Sequence, residues 1–191
     1  MAHYVIPSEF LFWSANPHHK QHKRALLPKI QASLPQTDGQ QKGAWFCDVN
    51  TEFFVDVQDT TKYTDLITEA IYPALDAMFA EVKNLRLPHS SAVNRIWYNH
   101  YSGSGRSGQE VHTHTACSYS GVYFLELYEP NTTMFYSHSA AVNEVTLATK
   151  TTEFIKEGDI LLFPATLMHY VLPPSQPRST VAFNIVCSYE N

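Results

Sequence analysis

No stretch of this chain approaches the run of about 18 to 20 apolar residues that a membrane-crossing helix needs, so a membrane partner is not expected. Cysteine is scarce as well. Cys47, Cys117 and Cys187 are widely spaced, odd in number and without any CxxC pair, which suggests neither a disulfide framework nor a thiolate zinc site. Reduced thiols in a cytoplasm are the simplest reading. The opening MAHYVIPSEFLFW has no basic segment followed by a long apolar stretch, so it does not read as a secretory leader. A basic field is missing too. The formal net charge is −5, and the one basic strip, His18 to Arg24, is too short to suggest general nucleic-acid binding. The glycines at 103, 105 and 108 form a loop that no GK[ST] motif or helix follows, which argues against a nucleotide-binding loop.

What remains is an ordinary globular composition, 44% hydrophobic and 16% charged, in 191 residues, enough for one domain with a real core. Residues 1–92 read as a mainly helical support region with short strands. Tyr4 to Trp13 suggests an edge strand, His18 to Leu34 a weak helix interrupted by Pro28, and Ala44 to Val49 a strand anchored by Trp45 and Phe46. The clearest helix runs from Tyr63 to Val82, where apolar residues recur at steps of three and four, and Pro73 predicts a break near Ile71 and Tyr72. Residues 93–191 change to short strands: Val93 to Tyr101, Glu110 to Thr115, Tyr119 to Leu127, Met134 to Tyr136, Val142 to Ala148, Glu153 to Ile155, Asp159 to Phe163 and Arg178 to Ser188. So many strands at short spacing imply an α+β fold built on a jelly roll, a double-stranded β-helix of cupin-like kind, with supporting N-terminal helices.

Two stretches carry the chemistry. In the first, QEVHTHTACSYSGVYFL, His112 and His114 are two apart, so on a strand they share a face. Glu110 falls on that face by the same alternation and is an alternative carboxylate ligand. In the second, His169 follows Gly158-Asp-Ile-Leu-Leu-Phe-Pro164, a buried strand ending in a proline-led loop. Arg178 then opens a further strand, whose alternation puts Thr180 and Asn184 on the same face. An iron ion that must also hold a substrate and oxygen needs three facial protein ligands and open positions, and imidazoles can supply them.

These elements resemble the Fe(II)- and 2-oxoglutarate-dependent oxygenases, specifically a bacterial and phage family with an HxH...H pattern and prolyl-hydroxylase-like character. The resemblance rests on His112-Thr-His114, Ser120-Gly-Val-Tyr-Phe124, Phe163-Pro-Ala-Thr-Leu-Met-His169-Tyr-Val-Leu-Pro173 and Arg178-Ser179, in that order, from Val93 onward. It implies iron on His112, His114 and His169, oxygen as oxidant, and a hydroxylase that releases succinate and CO2. It also implies that Arg178 receives the distal carboxylate of 2-oxoglutarate, a match of planar fork to carboxylate, with a hydroxyl from Thr180. Tyr123 matches a tyrosine that donates to that carboxylate, and Tyr101 matches one that borders the metal; Asn184 looks into the same cavity. The chain has a histidine, His114, where most such oxygenases have a carboxylate. Three neutral imidazoles leave the site about one charge more positive, which favours anionic co-ligands.

Two other readings stay open at this level. A cupin-type metal dioxygenase or isomerase shares the fold, although its glutamate after HxH is missing between Thr115 and Gly121. A non-enzymatic jelly-roll binding module would leave the three histidines and Arg178 no reason to converge. The prime substrate is not legible in the sequence.

Overall fold

In the computed structural model, residues 9–34, 49–53, 60–103, 108–136, 148–150 and 154–190 are described. Strand β1 (Phe12–Ala15) leads into helix α1 (His19–Ser33), then β2 (Asn50–Thr51). A 3-10 turn, Thr60–Tyr63, opens a helical run of α2 (Thr64–Leu66), a π-helical turn Ile67–Ile71, and α3 (Tyr72–Glu81). The β region comprises β3 (Ser90–Tyr101), β4 (Gln109–His112), β5 (Tyr119–Leu127), β6 (Thr133–Tyr136), β7 (Ala148–Lys150), β8 (Asp159–Pro164), β9 (His169–Val171) and β10 (Arg178–Ser188).

The strands form a six-stranded antiparallel sheet, ordered β1-β8-β5-β10-β3-β2, and a four-stranded one, β4-β9-β6-β7. Alternation along the large sheet explains both of its faces. Ile96 and Tyr98, Tyr123 and Leu125, Ile160 and Leu162, and Val181, Phe183 and Ile185 point to one side, where they meet Leu26, Ile30, Leu66, Ile71, Leu75 and Met78 from the helices. Each of these fully buried aliphatic side chains stabilises the fold by about 1.5 to 3 kcal/mol. The opposite face turns Phe124, Leu161 and Phe163 toward Phe135 and Leu167, forming a smaller core between the sheets. Two antiparallel sheets with helices outside one of them make the jelly roll that the strand pattern implied.

Pro28 does not interrupt α1, contrary to the sequence expectation. Its buried residues, His22, Leu26 and Ile30, follow a four-residue step, while Pro28 is exposed, so the carbonyl it leaves unpaired faces water and packing prevails. The break expected near Pro73 is present as a wider turn. The Tyr72 N–H reaches back five residues to the Ile67 carbonyl, and Pro73 sits at the start of α3, where its missing N–H costs little. β1 is an edge strand as expected, although it begins at Phe12 and its earlier predicted part, 4–8, lies outside the described residues. Ala44 to Asp48, with Trp45 and Phe46, also lie outside, as do 142–147 and Glu153. Val49 is not in a strand, and β2 follows it. Nor are Phe154 and Ile155: the chain turns there, with the Asp159 carboxylate accepting from the Lys156 N–H at 2.8 Å and Gly158 at φ +94°.

Candidate metal and carboxylate site

Strand β4 lies beside β9, with Gln109 opposite Val171 and His112 opposite His169. Three steps on β4 therefore match two on β9, so one extra residue is accommodated as a β-bulge. This overturns the simple alternation expected for Glu110. Glu110 is exposed, and Gln109 takes the inward position, its amide nitrogen 3.3 Å from His112 Nε2. The predicted strand to Thr115 ends at His112, and His114 stands on the following loop, whose N–H donates to the Ala165 carbonyl at 2.9 Å.

The three histidines nevertheless converge. One ring nitrogen from each of His112, His114 and His169 lies within 4.8 Å of the others. His169 is buried and its Nδ1–H donates to the Leu167 carbonyl at 2.9 Å; that of His112 donates to the Glu110 carbonyl at 2.7 Å. Each bond fixes the tautomer and leaves Nε2 as a lone pair aimed inward. His114 Nε2 faces His169 Nε2 at 3.3 Å, so a neutral His114 can donate to His169 there, and one ion can take both nitrogens in place of that proton. The donor set suits a divalent transition metal: neutral imidazoles only, on one side of a cavity.

Burial holds all three rings neutral. Desolvation lowers His112, lowers His114 to about 4 with help from the neighbouring His112, and pushes His169 well below its ordinary value. The unfolded chain takes up these protons near pH 6.5, whereas the folded metal-free chain does not. Unfolding is therefore favoured progressively as pH falls from about 6.5 toward about 4. The melting temperature of metal-free protein, followed by scanning calorimetry, should fall steadily from pH 7 to pH 5, and His169→Gln should flatten the decline. A melting temperature constant over that range would contradict the assignment.

A small cavity joins the histidines to Arg178, which is 2% exposed. Its two terminal nitrogens donate to Thr132 Oγ1 at 3.1 Å and Thr133 Oγ1 at 2.7 Å, and Nε has no partner. The guanidinium lies between two rings, 5.3 Å from the centroid of Tyr101 and 5.4 Å from that of Phe124. Among the described residues no carboxylate pairs with it. Glu129 is near enough to influence its charge, but its oxygens are occupied by Ser175 and Gln176. A buried cation without an anion is costly, and burial accordingly presses Arg178 below its ordinary pKa.

Thr180 and Tyr101 line the same cavity, and the Tyr101 hydroxyl donates to Gln109 Oε1 at 3.3 Å. Asn184 borders the larger cavity beside it, with Oδ1 accepting from Ser120 Oγ at 2.6 Å. Tyr123 needs correction. It points to the helix side of β5, fully buried, with its hydroxyl 2.7 Å from His19 Nδ1. The neighbouring Phe124 occupies the Arg178 face and carries no hydroxyl. For Thr132 and Thr133 the sequence offers no sign of a role beside Arg178 beyond a polar pair before a short strand. Of the other described histidines, His22 pairs with Asn16 and Glu69, His100 with Ser179, and His89 with Glu190.

Residues 95–184 match the family model described as "Putative 2OG-Fe(II) oxygenase". No curated protein matches the chain. Among solved structures, a prolyl hydroxylase from Trichoplax adhaerens, in complex with a hypoxia inducible factor peptide fragment, is similar at a TM-score of 0.62 and 12% identity, covering 93% of this chain and 83% of that one. A prolyl-4-hydroxylase from Pseudomonas putida gives 0.50 at 12% identity, covering 94% and 93%. An oxidoreductase of the 2OG-Fe(II) oxygenase family from Burkholderia pseudomallei gives 0.52 at 12% identity, covering 85% and 76%. At such identity the likeness to these structures is one of fold.

Proposed function

We infer that a chain whose residues 95–184 match the 2OG-Fe(II) oxygenase family, on a fold shared with prolyl hydroxylases, is an Fe(II)- and 2-oxoglutarate-dependent dioxygenase. It hydroxylates a substrate that the family match does not identify. The observation that carries the reading is Arg178: a buried guanidinium with an unpaired Nε and no carboxylate partner among the described residues, sharing a cavity with three inward imidazoles. The cupin-type alternative calls for a glutamate a few residues after the HxH pair, and Thr115 to Gly121 holds none.

In this reading His112, His114 and His169 hold the iron, whose chemistry when bound is activation of oxygen coupled to decarboxylation of 2-oxoglutarate to succinate. Arg178 receives the distal carboxylate, in bidentate fashion, with Thr180 adding a hydroxyl. Tyr101 lies under the guanidinium and helps to orient it, while its hydroxyl donates to Gln109. Phe124 and Phe163 keep water from the anion and the imidazoles, which strengthens every electrostatic contact there. Cys117 and Cys187 are free thiols, which supports a reducing, cytoplasmic setting. No described helix is long and apolar enough to cross a membrane.

Anaerobic titration of the protein with Fe(II) and 2-oxoglutarate should produce the weak visible charge-transfer band of the chelate. With oxygen and ascorbate added, succinate should form slowly even without prime substrate. Protein that binds both iron and 2-oxoglutarate yet makes no succinate above a metal-free control would rule this activity out.

A further inference from the structure

Beside the histidines lies a larger cavity of ≈ 290 Å³, which adjoins the space around Arg178 and shares Trp97, Asn99, Gln109, His112 and His114 with it. Its wall opposite His112 and His114 comes from β3, whose alternation places Arg95, Trp97 and Asn99 on one face. Phe53 completes it. Among the described residues, no aspartate or glutamate lines this cavity.

Arg95 is the notable residue. Its guanidinium carbon lies over the Phe53 ring, 3.9 Å from the centroid, and one terminal nitrogen donates to the Phe53 carbonyl. Among the described residues it makes no other hydrogen bond and no salt bridge, so several fixed N–H donors remain on a half-buried cation. Asn184 contributes in the same sense. Its Oδ1 is taken by Ser120 Oγ, which leaves its NH2 group as the part free to act, again a donor. Trp97, 3% exposed, and Phe53 stand 5.0 Å apart and supply an apolar surface next to these donors.

We propose that this cavity takes the prime substrate, that the substrate is a small organic molecule bearing an oxyanion, and that Arg95 is the residue that receives that anion. The proposal rests on the oxygenase reading above. The cavity is near the lower end of the range for small-molecule sites, which suits a molecule whose apolar body packs on Trp97 and Phe53. A stacked guanidinium is held in a fixed plane, so it recognises a carboxylate or a phosphate by its fork as well as by charge.

The test is ligand-observed saturation-transfer NMR on the full chain with 3-phenylpropionate, phenyl phosphate and the neutral 3-phenylpropionamide, each in the presence of saturating 2-oxoglutarate. At least one of the two anions should bind at least about 10-fold more tightly than the amide, and Arg95→Gln should erase that preference. Whichever anion binds more tightly identifies the group. Arg95→Lys should retain part of the preference, and the Fe(II) chelate band with 2-oxoglutarate should persist in Arg95→Gln, which shows that the variant is folded. Equal binding of acid and amide overturns the proposal. So does undiminished acid binding in Arg95→Gln, or absence of binding by all three probes at millimolar concentration. Loss of the chelate band in the unmutated protein would instead defeat the oxygenase reading and leave the binding result standing.

Discussion

Replacing His169 by alanine is expected to abolish stoichiometric iron binding and, with it, succinate formation. His169 is the most firmly held of the three imidazoles: buried, locked by the Leu167 carbonyl, and packed between Phe135 and Phe163 at ring-centroid distances of 5.4 and 4.8 Å. Changing a residue that merely orients a ligand costs roughly 10- to 100-fold in metal affinity, so removing the ligand itself costs more. His112→Ala should behave in the same way, because its tautomer is also fixed by a backbone carbonyl. His114 has no such anchor among its hydrogen bonds, and His114→Ala should reduce binding severely. His114→Asp should keep a facial site, since a carboxylate there completes the commoner ligand set. Glu110→Gln should bind iron almost normally, because the bulge turns Glu110 to solvent. The measurement is iron per chain after anaerobic loading and desalting. Normal iron in His114→Ala together with loss in Glu110→Gln would place the carboxylate, and not the third histidine, at the metal.

Arg178→Ala is expected to weaken 2-oxoglutarate binding by roughly 2 to 5 kcal/mol, the cost of leaving a buried anion without its partner. Arg178→Lys should recover only part, because a single ammonium cannot reproduce the planar fork between Tyr101 and Phe124. Stability should move the other way. Without its anion, Arg178 is a desolvated charge whose Nε is unsatisfied, so Arg178→Met should leave the ligand-free protein at least as stable as the parent. Calorimetry with metal present gives the affinity, and thermal melts without 2-oxoglutarate give the stability. Unchanged affinity in Arg178→Ala would put the anion elsewhere, and a strongly destabilised Arg178→Met would mean that the guanidinium serves the fold.

Much of this was readable in the residues because period-two alternation is a strong signal where one face is buried. β5 and β10 begin and end where the pattern placed them, and Arg178, Thr180 and Asn184 share a face as alternation requires. The failures occur where tertiary contacts override local rules. Alternation puts Glu110 on the histidine face, and what breaks that alternation is a bulge, which leaves no mark in a four-residue strand until its partner is known. Tyr123 and Phe124 are adjacent aromatics, both compatible with a buried strand, and only the packing of α1, with His19 on the Tyr123 hydroxyl, decides which one faces the helices. Pro28 was read as a breaker, but its exposed position removes most of the penalty. Arg95, Trp97 and Phe53 meet across a sequence separation that no local pattern reports.

The site also spans the seam between the two sheets. His112 and His169 sit on the four-stranded sheet and Arg178 and Tyr101 on the six-stranded one, and the Arg178 bond to Thr133 crosses between them. Iron and 2-oxoglutarate, bound together, would act as a rivet through both layers. A ligand present at 100 times its dissociation constant adds about 2.7 kcal/mol to the folded state. For this fold the gain falls on the four-stranded sheet, whose strands β4 and β9 are four and three residues long, so iron and co-substrate together should slow its cleavage by proteases.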